Sequence, residues 1–428
     1  MDIVQVNGKA DHGFEATQRL EAGVLTVRVR EAVMPADELF GFAERDNPHR
    51  AFLFVSKVLG RHVPASPARM RKACESLAAQ VPADLPGPVL MTGMAETAVG
   101  LGAGVHRAYV ARTGRDDVLY VASTRAGFDR APALRFVEAH SHAPSQLMHW
   151  PLATAARASF VAARSLVMVD DEASTGATFR NLAAALAEGP LRRIDRVETV
   201  VLTDWSAGGA GAATWRLAGR DVAVGSAALL RGSYSWAPAP SAPRRSLAAA
   251  TAGLSVRWPP PQPRDSRFGV FGATSVTVPS GLRFAPGAPR AAKPVHVVGM
   301  GEHVWEPFLL AEALEAAGHC VRFSASTRSP IVPGLAIAGG FVFGDHEGVG
   351  YDAYLYNVDP DAAERVILCC DTGRDAVDRR LLASLGCDLM IGDRFIPREA
   401  LADDLRGVAP ARRIFADRSR ACRRGAQP

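Results

Sequence analysis

Blocks of apolar and polar residues alternate along this chain and predict strands and helices in turn. The central block is the apolar run 165–169, which is long enough for one buried strand of a parallel sheet. Asp170 and Asp171 end this predicted strand, a polar turn follows, and residues 179–186 predict an apolar-rich helix. This order places both acids at the carboxyl edge of a parallel sheet and the turn at a helix N-terminus, where backbone N–H groups favour an anion.

A similar strand-turn-helix pattern occurs in both halves of the chain. Residues 88–96 and 294–302 lead from an apolar strand into Gly-Met-Ala-Glu and Gly-Met-Gly-Glu, respectively. Each is followed by a predicted strand that ends in Ala-Ser-Thr-Arg, at 122–125 and at 325–328. Residues 365–373 fall where the acidic pair would be expected, but they carry Cys-Cys-Asp. The pattern predicts a second α/β domain that repeats the first; chance similarity of two such units is the alternative.

Length and local composition divide the chain into parts. A chain of 428 residues exceeds what one core usually accommodates, so two domains are expected. Between about 237 and 266 the composition shifts to Pro, Ala, Ser and Arg, which is typical of a semi-rigid linker. We therefore predict a first domain over 1–236, this linker, a second domain over 267–410 and a basic tail over 411–428.

The overall composition narrows the class of protein. Hydrophobic residues make up 48% of the chain and the mean hydropathy is near zero, as in soluble globular proteins. No apolar stretch has the length of a membrane helix and the N-terminus lacks the form of a signal peptide, so we expect a cytoplasmic protein with no membrane partner. The net charge of +5 comes with scattered arginine pairs, which argues against a nucleic-acid partner. The cysteines lack Cys-x-x-Cys spacing, which argues against a disulfide framework and a structural zinc site, and we predict no metal ligands.

The acidic pair and its turn resemble the signature of type I phosphoribosyltransferases, which bind 5-phosphoribosyl-1-pyrophosphate (PRPP). The resemblance implies an α/β fold with a Rossmann-like parallel sheet and a hood, in which the acids contact the ribose hydroxyls and the turn wraps the 5′-phosphate. The PRPP-binding residues implied are Asp170, Asp171, Glu172, Ala173, Ser174, Thr175, Gly176, Ala177 and Thr178. The alternative is an ordinary turn whose polar side chains only cap the helix.

The resemblance also implies a loop for the departing diphosphate after an early strand. The matching residues are Thr92, Gly93, Met94, Ala95, Glu96 and Thr97. Small residues there let backbone amides approach an anion, although Gly and Ala also pack helices on sheets. Catalytic roles are implied for Asp170, Asp171 and Arg125, with Mg²⁺ as the cofactor that accompanies PRPP.

Two further regions match variable parts of these enzymes. A mobile lid is expected in the loop that carries Arg130, His140 and His142; a metal site and a solvated loop are the alternatives. The hood that receives the acceptor is expected around residues 45–62. Its candidate residues, which could instead be solvated edges, are Arg45, Asn47, Arg50, Ser56, Lys57, Arg61 and His62.

The second half resembles the TRSP domain that follows such phosphoribosyltransferases in bacterial operons associated with tellurium resistance and stress. The resemblance rests on Thr327-Arg328-Ser329-Pro330 and on residues 354–358. The smaller second domain is expected to be α/β and to form an anion-binding cleft from Gly299, Gly301, Glu302, Thr327, Arg328 and Ser329. It should not bind PRPP itself, because Cys369-Cys370-Asp371 lacks the acidic pair.

These resemblances imply Mg²⁺-dependent transfer of a phosphoribosyl group from PRPP to an unidentified base or small nucleophile. The product would be a nucleotide-like metabolite of a stress or tellurium-resistance pathway. A PRPP-sensing regulator or scaffold without turnover, and hydrolysis or pyrophosphorolysis of a nucleotide, are the alternatives. A second copy of the chain and proteins of the same operon are the candidate macromolecular partners.

Overall fold

A computed structural model describes residues 15–45, 50–128, 132–137, 145–191, 193–207, 213–239, 255–256, 265–272, 275–282 and 293–416. Its strands are β1 Glu15–Leu20, β2 Gly23–Ala32, β3 Phe40–Arg45, β4 Phe52–Ser56, β5 Val89–Gly93, β6 Val118–Tyr120, β7 Gly127–Phe128, β8 Ala133–Val137, β9 Ser145–His149, β10 Ser165–Ala173, β11 Arg196–Asp204, β12 Thr214–Leu217, β13 Arg220–Pro238, β14 Ser255–Val256, β15 Val270–Phe271, β16 Val295–Gly299, β17 Val321–Ala325, β18 Ile331–Val332, β19 Gly339–Gly344, β20 Asp352–Tyr356, β21 Arg365–Cys370, β22 Asp388–Ile391, β23 Arg394–Ile396 and β24 Arg412–Phe415. Its α-helices are α1 Ala36–Leu39, α2 Pro67–Ala78, α3 Ala98–Thr113, α4 Thr154–Ala162, α5 Ala177–Glu188, α6 Trp305–Ala316, α7 Arg379–Leu385 and α8 Arg398–Leu401. Short 3-10 helices lie at Ser266–Phe268, Pro360–Ala362 and Arg374–Ala376.

The large sheet has the strand order β1-β2-β13-β11-β10-β5-β6-β15, with β12 also paired to β13. The strands β13, β11, β10, β5 and β6 are parallel, and antiparallel strands extend both edges. The first five residues of β10 and all of β5 are buried, as expected for strands covered on both faces. The predicted α/β class with a parallel central sheet is confirmed.

Strand β10 is longer than its apolar run predicts. It continues through both acids to Ala173, because β11 supplies pairing partners as far as Asp204. On its other side, the pairing with β5 stops at Val169 opposite Gly93. The strand therefore runs two residues beyond the acidic pair that was predicted to end it. Asp170 and Asp171 therefore lie at the carboxyl edge of the sheet, on a segment of β10 that pairs with β11 but no longer with β5.

The second sheet has the order β17-β16-β21-β22-β23. Strand β16 lies between the parallel strands β17 and β21, as β5 lies between β6 and β10. Even single hydrogen bonds correspond: Met94 N–H donates to the Val169 carbonyl oxygen at 2.9 Å, and Met300 N–H donates to that of Cys369 at 3.0 Å. The three strands thus match in order and direction, as the sequence repeat predicts.

The two halves share part of their core. One large cluster of buried residues joins helices α2 and α3 to helix α6, and in it the rings of Phe308 and Phe323 meet at 5.7 Å. Strand β18 of the second half pairs with β3 of the first, so one small sheet is built from both. A separate cluster lies within the second half alone. None of the described helices has the length and apolar composition needed to cross a membrane.

Candidate functional site

A cavity of about 210 Å³ lies at the carboxyl ends of β5 and β10, beneath the hood strands β3 and β4. Its walls come from five parts of the chain that are far apart in sequence. They are Arg45, Arg50, Leu53, Phe54, His62, Ala95, Glu96, Thr97, Arg125, Asp170, Asp171, Glu172, Ala173, Ser174, Thr175, Gly176, Ala177, Thr178, Phe179, Thr327, Arg328 and Ser329. All nine residues predicted to bind PRPP are among them.

The turn between β10 and α5 is short and contains one left-handed residue. Gly176 has φ +70°, a conformation that glycine adopts at low cost, and α5 begins at the next residue. The N-cap position is therefore a residue without a side chain, so capping does not account for the acids upstream. Asp171 N–H donates to Asp170 Oδ1 at 2.9 Å, which holds the Asp170 carboxylate against the backbone of the next residue. Carboxylates and a helix N-terminus thus face one cavity.

Glu172 is paired with an arginine of the hood. Its carboxylate lies 2.5 Å from the Arg50 guanidinium, and both side chains are largely buried. The Arg50 guanidinium also lies 4.9 Å from the centre of the Phe52 ring. Burial lowers the pKa of Arg50, but the carboxylate of Glu172 outweighs this effect and the pKa is raised. This pair ties the hood to the turn.

Of the six residues predicted for the diphosphate, Ala95, Glu96 and Thr97 line the cavity. Thr92, Gly93 and Met94 are buried and do not line it. A Cβ on Gly93 would lie 2.3 Å from the Ala98 carbonyl oxygen, so only glycine allows α3 to approach β5 this closely. The backbone amide of Ala95 donates to Ser123 Oγ at 2.8 Å, and the backbone amide of Met94 donates to the Val169 carbonyl oxygen. The cavity side of this loop is therefore residues 95–97.

Glu96 is surrounded by three arginines from different parts of the chain. Its carboxylate lies 3.1 Å from Arg125 Nε, 3.4 Å from Arg61 Nη2 and 3.7 Å from Arg328 Nε. Burial raises the pKa of Glu96, but the three guanidinium groups outweigh burial and lower the pKa to about 2. Arg328 also pairs with Glu347 and lies 4.3 Å from the Tyr351 ring centre. This cluster brings the Glu96 carboxylate and the guanidinium groups of Arg125 and Arg328 into one cavity wall, to which both halves contribute.

The structure divides the predicted hood residues. Arg45, Arg50 and His62 line the cavity, whereas Ser56, Lys57 and Arg61 do not. Asn47 lies outside the described residues.

The alternative that these polar positions are solvated edges is wrong for Ser56, Arg61 and His62, which are buried. The reason is the second half: Arg61 donates to the Gly301 carbonyl oxygen, and Asn357 Nδ2 donates to that of His62 at 2.8 Å. Burial, with the charge of Arg61, lowers the pKa of His62 to about 3.

The predicted lid residues Arg130, His140 and His142 lie outside the described residues. The predicted catalytic residues Asp170, Asp171 and Arg125 all line the cavity. Arg125 is largely buried, and its backbone N–H donates to Glu302 Oε1 at 3.0 Å. The second half therefore positions one of the residues predicted to be catalytic.

The predicted second-domain cleft residues belong to two cavities. Thr327, Arg328 and Ser329 line the cavity of the first half, which local sequence patterns gave no reason to expect. Gly301 and Glu302, with Thr327 and Arg328 again, line a much smaller cavity that also contains Glu96, His346 and Glu347. Gly299 is packed against the next loop, because a Cβ on it would lie 2.4 Å from the His303 carbonyl oxygen.

Comparisons with known proteins agree with this architecture. Residues 39–233 match the family model described as phosphoribosyl transferase, and residues 266–385 match the one described as TRSP domain C terminus to PRTase_2. No curated protein matches the chain.

Two similar solved structures are an adenine phosphoribosyltransferase from Rhodothermus marinus DSM 4252 and an orotate phosphoribosyltransferase from Mycobacterium tuberculosis H37Rv in complex with Fe(III) dicitrate. The first is 13% identical, covers 45% of this chain and 94% of its own, and has a TM-score of 0.28. The second is 15% identical, covers 44% of this chain and 89% of its own, and has a TM-score of 0.26. Both TM-scores are too low to add to the family match. The chain belongs to the family of phosphoribosyl transferases that are followed by a TRSP domain.

Proposed function

We propose that this protein transfers a 5-phosphoribosyl group from PRPP to a nitrogen or another nucleophile and releases diphosphate. The observation that supports this most is the lining of one cavity, which contains the nine residues of the PRPP-like motif together with residues 95–97 and Arg125. A sugar that carries phosphate groups at both ends needs groups for two anions as well as for its hydroxyls. The family match supports the same reaction class.

Each part of the cavity then has a role in the reaction. The N-terminus of α5 and the turn before it would hold the 5′-phosphate, because their N–H groups favour an anion. Asp170 and Asp171 would hold the ribose hydroxyls near the positive charge that develops on the ring in an oxocarbenium-like transition state. Residues 95–97, with Arg125 and Arg328 behind them, would hold the diphosphate as its charge grows.

The residues present also fit a magnesium ion. Mg²⁺ prefers oxygen ligands and is usually held by one or two carboxylates together with the phosphates of a substrate. Asp170 and Asp171 offer such carboxylates beside the predicted phosphate positions. Bound Mg²⁺ would neutralise part of the diphosphate charge. The remaining work of orienting ribose and phosphate falls to the residues of this chain.

The hood would select the acceptor. Leu53 and Phe54 give the cavity an apolar wall, and Arg45 and His62 add polar groups beside it. The lowered pKa of His62 keeps its imidazole neutral near neutral pH, so it could accept a hydrogen bond from an acceptor N–H group. We place the product among nucleotide-like metabolites of the stress and tellurium-resistance pathway that the TRSP domain suggests.

The test uses the purified full chain with PRPP and Mg²⁺. Diphosphate release is measured across a panel of nucleobases and small amines, with the Asp170→Asn/Asp171→Asn double variant as the matched control. Release that depends on one acceptor class and is lost in the double variant is the expected result. PRPP binding without release by any acceptor would instead favour a PRPP sensor. Absence of PRPP binding would contradict both functions.

A further inference from the structure

We propose that His346, Cys370 and Asp371 form a separate site for a divalent transition metal, with Zn²⁺ as the best fit. A ring nitrogen, the thiol sulfur and a carboxylate oxygen of these residues all lie within 4.8 Å of one another. Two ligands of one tetrahedral zinc ion are roughly 3.5 Å apart, given zinc–ligand distances of about 2.0–2.3 Å. Small side-chain shifts therefore suffice to bring all three onto one ion.

The site lies at the carboxyl edge of the second sheet. Cys370 is the last residue of β21 and Asp371 follows it, while His346 comes from the loop after β19. Because Val169 and Cys369 accept equivalent hydrogen bonds from Met94 and Met300, Asp371 occupies the position of Asp171. The second half therefore places potential ligands where the first half places its acidic pair.

The environment of Asp371 is the second observation that points to a cation. Its Oδ2 accepts a hydrogen bond from Arg267 Nη2 at 2.7 Å. Its buried Oδ1 accepts none from any residue that the structure describes. A buried carboxylate oxygen without a donor is costly, and a metal ion would satisfy it. Arg267 also pairs with Asp265 at 2.7 Å, so its charge is already compensated. The hydrogen bond from Arg267 to Asp371 is typical of the support given to a carboxylate that ligates a metal.

The imidazole of His346 packs closely against Gly301. Gly301 has φ +57°, and a Cβ there would lie 2.6 Å from Cε1 of the His346 ring. Only glycine leaves room for the imidazole at this place. His346 and Cys370 are almost fully buried, so the site is shielded from competing solvent ligands.

The donor set distinguishes this metal from the magnesium of the PRPP reaction. One nitrogen, one sulfur and one oxygen donor suit Zn²⁺, whereas Mg²⁺ prefers oxygen alone. Three protein ligands leave the fourth position of a tetrahedral ion open. Water commonly takes the open position of a zinc ion with three protein ligands, and we assign the fourth position to it.

The experiment uses the full chain without a histidine tag, stripped with a chelator and titrated with Co²⁺ or Zn²⁺. Wild type should bind one ion per chain, and bound Co²⁺ should show thiolate-to-metal charge-transfer absorption. Cys370→Ser should lose that absorption and bind at least about tenfold more weakly. Cys369→Ser is the matched control, because this neighbouring buried cysteine is outside the ligand group and should leave both readouts unchanged.

The proposal is independent of phosphoribosyl transfer, and its failure can be recognised separately. PRPP affinity of folded Cys370→Ser should equal that of wild type. Lack of tight metal binding by wild type, or equal loss of the absorption in Cys369→Ser, would overturn the proposal. Should Cys370→Ser not fold, His346→Asn provides the second test, with the same expected loss of binding and circular dichroism as the check of folding.

Discussion

The carboxyl edges of the two sheets share a backbone plan and differ in the residues at the end of the central strand. At the first edge, β10 continues through Asp170 and Asp171 and borders a cavity of about 210 Å³. At the second edge, β21 ends at Cys370, and Asp371 pairs with Arg267. The cavity beside its loop is only about 10 Å³. The comparison shows that a repeated fold does not repeat a site, because the site depends on a few side chains at the strand end.

The two edges also differ in how they depend on each other. Arg328 of the second half lines the cavity of the first, and Glu302 of the second half accepts a hydrogen bond from the Arg125 backbone at 3.0 Å. The second edge takes its own arginine, Arg267, from the start of the second half. It also receives Arg61 of the first half, which donates to the Gly301 carbonyl oxygen. We infer that the second half acts as a structural wall of the first site. Substitutions in each half can test this difference.

The largest expected effect comes from the shared core. Phe323→Ala should lower the free energy of unfolding by about 3–5 kcal/mol, because Phe323 is buried against Phe308 in the cluster common to both halves. Chemical denaturation should still show one transition, shifted to lower denaturant. Leu355→Ala is the control, since Leu355 belongs to the cluster of the second half alone. Unfolding of the first half at an unchanged denaturant concentration in Phe323→Ala would contradict a shared core.

Arg328→Ala should cost about 3 kcal/mol of stability, because it leaves the buried Glu347 carboxylate without its guanidinium partner and weakens the cluster around Glu96. Arg328→Lys keeps the charge and should lose less. Arg216→Ala, which removes a well-exposed ion pair with Asp221, should change stability by less than about 1 kcal/mol. Equal losses of stability in the Arg328→Ala and Arg216→Ala variants, measured by thermal unfolding, would show that the cluster around Glu96 contributes no extra stability.

The double variant Asp170→Asn/Asp171→Asn should bind PRPP at least about tenfold more weakly, or about 1.4 kcal/mol. Its melting temperature should stay nearly unchanged, because both side chains are at the cavity and not in the core. Asp371→Asn, at the equivalent position of the second edge, should leave PRPP affinity as in wild type. Isothermal titration calorimetry measures both. Undiminished PRPP binding by the folded double variant would falsify the assignment of this site.

The last prediction concerns pH and His296, a histidine without a counterpart at the equivalent position of the first half. Burial, with the charge of Arg322, lowers the pKa of His296 to about 4 from 6.5. Below pH 6.5 the unfolded chain therefore binds a proton at His296, whereas the folded chain binds this proton only below about pH 4. Above pH 6.5, His296 should not lower the free energy of unfolding. Between pH 6.5 and about 4, this free energy should fall by about 1 kcal/mol for each pH unit of acidification.

The equivalent position in the first half is Leu90, so His296→Leu makes the two halves alike. The variant loses the 2.8 Å hydrogen bond to Ser324 Oγ and should show a flatter dependence of stability on pH between about 6.5 and 4. Urea denaturation at several pH values measures the slope. An unchanged slope would show that other groups cause the acid sensitivity.

The sequence by itself determined the parts that depend on neighbours along the chain. An apolar run, two acids and a glycine turn specify a strand, a carboxyl edge and a helix start, and all nine residues of that motif do line one cavity. The repeat of Gly-Met-x-Glu and Ala-Ser-Thr-Arg likewise predicted two sheets whose strands match in order and direction. These signals are local, because turn chemistry and hydrophobic periodicity act over a few residues.

Only the tertiary structure decided which distant segments meet. The extension of β10 to Ala173 depends on pairing with β11, and the burial of Arg61 and His62 depends on the second half. The entry of Arg328 into the first cavity and the meeting of His346 with Cys370 likewise join residues far apart in sequence. No local pattern encodes such contacts, since they arise from packing one half against the other, where burial and charge pairing are settled by the whole fold.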